Sequence, residues 1–305
     1  MSSTEATAAP NVTGTLAFRD WTTWYRITGD LTGAAVAPLV VLHGGPGATH
    51  HYTLRIAGLA AQGRPVVHYD QLGNGASTHL PDKGADFWTV DLFLDELDTV
   101  LTGLGVADGY HLLGQSWGGM LAAEHAVRRP AGLRSLVIAN SPASIPLWLA
   151  EANRLRSELP SDVQQTLLVH EAAGTTEHPD YRAATRVFNN RHVCRIVPNP
   201  PEVDETFLAL EADSTVYNIM NGPNEFYVIG TLKDWTIIDR LDQIVAPTLL
   251  ISGRYDEATP ATVQPYADRI PNARWEVFED SSHMPHVEEA EAYLRLVGAF
   301  LEEHD

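Results

Sequence analysis

The stretch Gly114-Gln115-Ser116-Trp117-Gly118 constrains this chain more than any other. Before it, Tyr110–Leu113 reads as a short strand. After it, Trp117–Val127 reads as a helix, with Pro130 just past the end. A strand that becomes a helix within so few residues leaves no room for side chains at the flanking positions, so glycines are required there. The turn lifts the serine hydroxyl above the sheet edge, at the N-terminus of a helix. That is the setting of a nucleophile elbow. Gly119 lets the helix approach the strand closely.

The surroundings supply the matching architecture. Thr13–Phe18 and Thr22–Ile27 read as a hairpin hinged near Arg19-Asp20. Pro38–Leu42 and Pro65–Tyr69 are short continuous apolar runs, the pattern of strands buried on both faces. Val90, Phe93, Leu94, Leu97, Val100, Leu101 and Leu104 follow helical spacing, and Gly103 and Gly105 supply the stop. Leu133–Ala139 is again a strand. This alternation argues for a mostly parallel sheet with crossover helices. It breaks at Ser141-Pro142, and the chain then reads mostly helical to about Trp235. It resumes with strands at Thr248–Ile251 and Trp275–Phe278 and helices near Ala261–Ile270 and over Glu288–Glu302. The expected organisation is a loose tail (1–12), an α/β core (13–141 and 236–305) and an inserted helical cap (142–235). There are no internal repeats.

Composition narrows the function classes. Hydrophobic residues make up 44% of 305, enough for a sizeable core, so wholesale disorder is excluded. The formal net charge is -19, with 39 acidic and 20 basic residues and no basic stripe, which argues against nucleic acid and anionic membrane surfaces as partners. The single cysteine, Cys194, excludes an intramolecular disulfide and a thiolate zinc cluster. Met1–Asn11 has neither the basic residues nor the apolar run of a signal peptide, and no stretch approaches the ~18 apolar residues of a membrane span. A cytoplasmic location is the expectation.

A serine hydroxyl is a poor nucleophile and needs a base, itself oriented by an acid. Behind an elbow of this kind the chain order is Ser, acid, His, with the acid after a late strand and the His after the last. Asp256 and His283 fall at those positions. Their rivals are Glu257, beside Asp256, and His286, three residues on. The oxyanion needs preorganised N–H donors. In His43-Gly44-Gly45-Pro46-Gly47 the glycines let backbone amides approach a substrate carbonyl, so one donor is assigned to Gly45 and the other to the amide of Trp117. Gly44 is expected to contact substrate. The run has neither the Gly-Lys-Ser/Thr ending of a phosphate loop nor dinucleotide spacing. His43 lacks a partner at ligand spacing, so a structural hydrogen bond is expected of it. Asp70–Ser77 reads as a turn that supports the pocket base. No metal or organic cofactor is implied.

Taken together, His43–Gly47, Tyr69–Ser77, Gly114–Gly119, Met220–Phe226 and Gly253–Glu257 resemble the proline iminopeptidase family of α/β hydrolases. This group includes the tricorn-interacting aminopeptidases and bacterial L-amino-acid amidases, and the likeness runs from about Leu39 to Leu301. It implies the α/β-hydrolase fold. It also implies that acidic residues hold the free α-ammonium group of the substrate; the matching positions are Glu225 and Glu257, with Tyr217 matching an aromatic hydroxyl nearby. A buried cation needs carboxylates that also accept its hydrogen bonds. The bland alternatives are a surface residue on a cap loop for Glu225 and a helix N-terminal charge for Glu257. The expected activity is release of an N-terminal residue, proline or another small apolar one, from short peptides through an acyl-enzyme. The alternatives are an amidase acting on amino-acid amides, a carboxylesterase or lactone hydrolase, and a hydrolase fold kept as a binding receptor. Side-chain specificity is expected to lie between Pro142 and Pro201.

Overall fold

The computed structural model of the protein describes residues 11–305. Residues 1–10 of the expected tail lie outside the described residues, and Asn11 and Val12 belong to the first strand. That strand, β1 (Asn11–Phe18), pairs antiparallel with β2 (Trp21–Thr28). Six further strands follow: β3 (Leu39–Leu42), β4 (Val66–Asp70), β5 (Tyr110–Gln115), β6 (Leu133–Ala139), β7 (Thr248–Gly253) and β8 (Ala273–Phe278). They form one eight-stranded sheet in the order β1-β2-β4-β3-β5-β6-β7-β8. Pairing is antiparallel from β1 to β4 and parallel from there to β8. This is the α/β-hydrolase fold.

The continuous apolar runs are explained by burial on both faces. Val40, Leu42, Leu112, Leu136 and Ile138 point into one core, and Leu39, Val41, Leu113, Val137 and Ile251 into the other. The first core is closed by α1 (Val90–Gly103), α2 (Trp117–Val127) and α8 (Pro260–Arg269). The second is closed by a 3-10 helix (His51–Gln62) and the last helix, through Ile56, Leu59, Val297 and Leu301. The 3-10 helix is absent from the sequence reading, although Tyr52, Ile56 and Leu59 repeat at helical spacing.

Between β6 and β7 the chain builds α3 (Ile145–Ser157), α4 (Ser161–Ala173), α5 (Pro179–His192), α6 (Pro201–Ala212) and α7 (Thr215–Met220). The two ends of this insertion are tied together. Ser144 bridges Thr236, the Ile145 amide donates to the Trp235 carbonyl at 2.9 Å, and the Ile237 amide donates to the Ala143 carbonyl at 3.1 Å. A long insertion can therefore leave the core without disturbing the β6–β7 pairing.

The final helix is not the single Glu288–Glu302 element expected. It divides into α9 (Pro285–Glu288) and α10 (Ala290–Glu302), with Glu289 at φ -127° and ψ 46° between them. The break turns two carboxylates toward the turn after β8. Glu288 accepts from the Ser282 amide and hydroxyl at 2.7 and 2.8 Å, and Glu289 accepts from the Ser281 hydroxyl at 2.5 Å. No helix among the described residues is long and apolar enough to cross a membrane.

Candidate active site

Ser116 sits between β5 and α2 at φ 57° and ψ -124°, a conformation L-residues rarely adopt. The Ser116 amide donates to the Ala139 carbonyl at the end of β6 at 3.0 Å, and the turn itself is closed by the Gly119 amide donating to the Ser116 carbonyl at 2.8 Å. The glycines are required by contact. A Cβ on Gly114 would lie 2.0 Å from the Gly118 carbonyl oxygen, and one on Gly118 would lie 2.1 Å from that of Leu42.

Asp256 follows β7 and His283 follows β8, so strand pairing brings them together although 27 residues separate them. His283 Nδ1 donates to Asp256 Oδ1 at 2.7 Å. Asp256 also accepts from Asn140 Nδ2 at 2.6 Å and from the Ala258 amide at 2.8 Å. With Nδ1 committed to Asp256, Nε2 is the basic nitrogen. Burial lowers the His283 pKa, but the charge and hydrogen bond of Asp256, with the charges of Glu225 and Glu288, more than offset it and the net shift is upward. Ser116 and His283 line one cavity of about 50 Å³.

The rivals separate cleanly. His286 Nε2 donates to the Tyr52 carbonyl at 3.1 Å, and burial pushes its pKa down to about 3. Glu257 approaches His283 from the other side, with Oε1 3.7 Å from Nε2. Neither takes part in a hydrogen bond like the one that joins His283 to Asp256.

Gly45 takes φ +110° and borders the cavity; a Cβ there would meet the Gly47 amide nitrogen at 2.4 Å. Neither the Gly45 amide nor the Trp117 amide donates to another of the described residues. The Gly44 amide donates to Tyr52 Oη at 2.7 Å, and Gly44 does not border the cavity. The structure therefore does not place it where direct substrate contact was expected. His43 is structural: Nδ1 donates to the Gly44 carbonyl at 2.9 Å, and Nε2 accepts from the Gln71 amide at 3.0 Å. Burial holds this imidazole neutral, with a pKa of about 4. Asp70 ties its turn together by accepting from the His50 amide at 2.9 Å and the Ala76 amide at 2.9 Å.

Tyr217, Glu225 and Glu257 line the same cavity. Tyr217 donates to Glu225 Oε1 at 2.5 Å. Glu257 is 1% exposed, and its Oε2 has no hydrogen-bond partner among the described residues. Burial raises both carboxyl pKa values, and Glu225 and Asp256 raise that of Glu257 further. Each carboxyl group is thus harder to ionise than it would be in water, and the two lie close enough for the charge of Glu225 to act on Glu257.

A family model described as alpha/beta hydrolase fold matches residues 37–290. A proline iminopeptidase of Heyndrickxia coagulans is 39% identical over 264 residues, covering 87% of this chain and 90% of that protein. The chain belongs to the proline iminopeptidase family of α/β hydrolases. It is an enzyme, a serine aminopeptidase by family. Two solved structures agree. The crystal structure of a Mycobacterium smegmatis proline iminopeptidase superposes with a TM-score of 0.88 at 52% identity, over 96% of this chain and 98% of that one. The crystal structure of VinJ superposes at 0.95 with 57% identity, over 96% and 99%.

Within this proline iminopeptidase fold, several site residues escaped the sequence reading. Asn140 holds Asp256, and Trp148 donates from Nε1 to the Glu225 carbonyl at 2.6 Å while its ring lies 6.2 Å from that of His283. The apolar wall is made by Val203, Phe207 and Leu210 of α6, with Val193 and Met284. Of these only Val193 lies between Pro142 and Pro201, so the wall sits mainly beyond the segment expected to hold it. The signal was the repeat of Val203, Phe207 and Leu210 along one face of a helix. Among the described residues, the only group of three potential metal ligands is His170, His178 and Asp180, on α4 and at the start of α5, away from the cavity.

Proposed function

We propose that the protein releases an N-terminal amino acid, proline or another small apolar residue, from short peptides with a free α-amine, using Ser116, His283 and Asp256. Ser116 Oγ attacks the scissile carbonyl carbon while His283 Nε2 takes its proton. Asp256 holds the Nδ1 proton and stabilises the imidazolium. The carbonyl oxygen gains the negative charge and meets the Gly45 and Trp117 amides. The tetrahedral intermediate collapses, the C–N bond breaks, and Nε2 passes its proton to the leaving amine. Water then attacks the acyl-enzyme, giving a proton to His283, and the released Ser116 oxygen recovers it.

The observation that carries this reading is a pair of carboxylates, the half-buried Glu225 and the almost wholly buried Glu257, lining the cavity that holds Ser116 and His283. An α-ammonium group placed between them supplies a cation and hydrogen bonds, and a substrate lacking it leaves them unpaired. The apolar wall of α6 suits a small apolar side chain, and the cap roofs the site against long substrates. A cytoplasmic location fits a chain whose single cysteine is buried and free.

The test is a matched pair of anilides: L-amino-acid anilides of Pro, Ala and Phe, each with a free or an acetylated amine. Cleavage confined to the free amines is expected. Equal or better cleavage of the acetylated compounds would replace the aminopeptidase reading with a general amidase or esterase. Faster turnover of amino-acid amides than of dipeptides would favour the amidase within the same chemistry.

A further inference from the structure

Tyr52, the second residue of the 3-10 helix after β3, joins four parts of the site that lie far apart in the chain. Its hydroxyl accepts from the Gly44 amide, next to the Gly45 donor, and donates to Gln115 Oε1, next to Ser116. Gln115 Nε2 in turn donates to the carbonyl of His283 at 2.9 Å. The Tyr52 carbonyl accepts from His286 Nε2, three residues beyond His283. Its amide donates to Thr206 Oγ1 on α6 at 3.1 Å, and Thr206 also meets Thr49 Oγ1 at 3.2 Å. The ring is buried beside Ala48, Met284 and Val287, and burial keeps the phenol neutral.

The oxyanion loop, the nucleophile turn and the histidine loop leave the sheet from three different strands, β3, β5 and β8. Strand pairing sets their heights but not the positions of the loops beyond the strand ends. An ångström of relative displacement there costs about 100-fold in rate. Two groups bond both the oxyanion loop and the nucleophile turn: the Gln71 side chain, through the His43 carbonyl and Trp117 Nε1, and the Tyr52 hydroxyl, through the Gly44 amide and Gln115. Only the Tyr52 link runs through Gln115, whose Nε2 extends it to the histidine loop.

We propose that Tyr52 is a positioning residue for this reaction: through Gly44 and Gln115 its hydroxyl holds the Gly45 donor, Ser116 and His283 in one register, and its amide ties that register to the seating of α6. The proposal rests on the acyl-transfer roles given above to Ser116, His283 and Gly45.

The experiment uses the full chain and the variant Tyr52→Phe, which keeps the ring and its packing. Four quantities are read: kcat and KM on a free-amine anilide, inhibition by a boronic acid analogue of the amino acid, inhibition by the free amino acid, and Tm. The expected result is a fall in kcat of about 10- to 100-fold with KM within about threefold. Affinity for the boronic acid, whose adduct with Ser116 is tetrahedral, falls in step, and affinity for the free amino acid holds. Gln115→Met, which leaves Tyr52 intact, shows the same split, and the double variant is no worse than the worse single one. A lowered Tm with kcat and boronic acid affinity intact would overturn the proposal. So would losses that multiply in the double variant. If Tyr52→Phe does not fold, Gln115→Met alone decides between these outcomes. A wild-type protein that a fluorophosphonate does not label at Ser116 would refute the acyl-transfer reading itself. An active, labelled wild type with an unimpaired Tyr52→Phe refutes only the positioning role.

Discussion

Replacing Glu257 by Gln separates the binding of an ammonium group from the rest of the chemistry. The change keeps shape and removes a carboxyl group that can ionise against a bound ammonium. In the structure Glu257 is almost wholly buried and one carboxylate oxygen is unpartnered, whereas one oxygen of Glu225 is already taken by Tyr217. An ammonium group in this space therefore draws heavily on Glu257. Removing one partner of a desolvated charge pair costs about 2–5 kcal/mol. At about 1.4 kcal/mol per decade, that is roughly a 30- to 5000-fold loss in kcat/KM on a free-amine anilide. The N-acetylated substrate has no ammonium, and its slow cleavage is expected to change by less than about threefold.

The same substitution carries a stability signature of opposite sign. The folded-state pKa of Glu257 lies well above the ordinary 4.5. As pH rises past about 4.5, the unfolded chain releases this proton while the folded protein retains it, so the wild type loses stability with rising pH until the buried group ionises too. Gln has no proton to release. The Tm of Glu257→Gln relative to wild type should therefore rise as pH increases from about 4.5, although the variant has lost activity on free amines. Equal loss on the free and acetylated substrates would refute the reasoning, because Glu257 would then be acting on His283 and not on a cation. Unchanged activity on both would refute it as well.

Ser116→Ala should abolish fluorophosphonate labelling and lower kcat by about 10⁴-fold or more, with the circular dichroism spectrum unchanged. Because His283 must be neutral at Nε2 and its pKa is raised, the acid limb of the kcat/KM profile should have its midpoint above 6.5; a midpoint below that value would mean that burial outweighs the carboxylates around His283. Asp305→Asn should lower stability by about 1 kcal/mol at pH 7, because the carboxylate, itself screened by solvent, is the partner of the buried Arg64 guanidinium at 2.7 Å. The folded pKa of Asp305 is lowered to about 2, so this stabilisation is present above 3.8 and lost as pH falls through about 2. The Tm gap between variant and wild type should close over that window, and a gap that persists at the acid end would refute the assignment.

The legible parts of this molecule are those in which a residue's own neighbours dictate its geometry. The apolar runs at Leu39–Leu42 and Leu133–Ala139 announce strands because both faces are buried. The glycines around Ser116 announce the elbow because any side chain would strike backbone. Tyr52, Gln115, Asn140 and Trp148 were illegible for the opposite reason. Their partners lie 63 residues away for Tyr52 with Gln115, 168 for Gln115 with His283, 116 for Asn140 with Asp256 and 77 for Trp148 with Glu225. No local pattern encodes a hydrogen bond across such distances. The break at Glu289 was hidden for a related reason: the helical pattern continues, but Ser281 and Ser282 draw Glu288 and Glu289 away from it.

The sequence alone determined the strand-helix alternation, the interruption by a helical insertion, the strained serine turn and the chain order of serine, acid and histidine. Each follows from burial periodicity or from steric exclusion within a few residues. Only the tertiary structure sets Asp256 apart from Glu257, and His283 from His286, in their hydrogen-bond partners. Within each pair the residues have similar chemistry and nearly the same position in the chain. They part only when strand ends and loops pack, which sets His283 Nδ1 against Asp256, turns His286 to Tyr52, and leaves Glu257 facing the cavity.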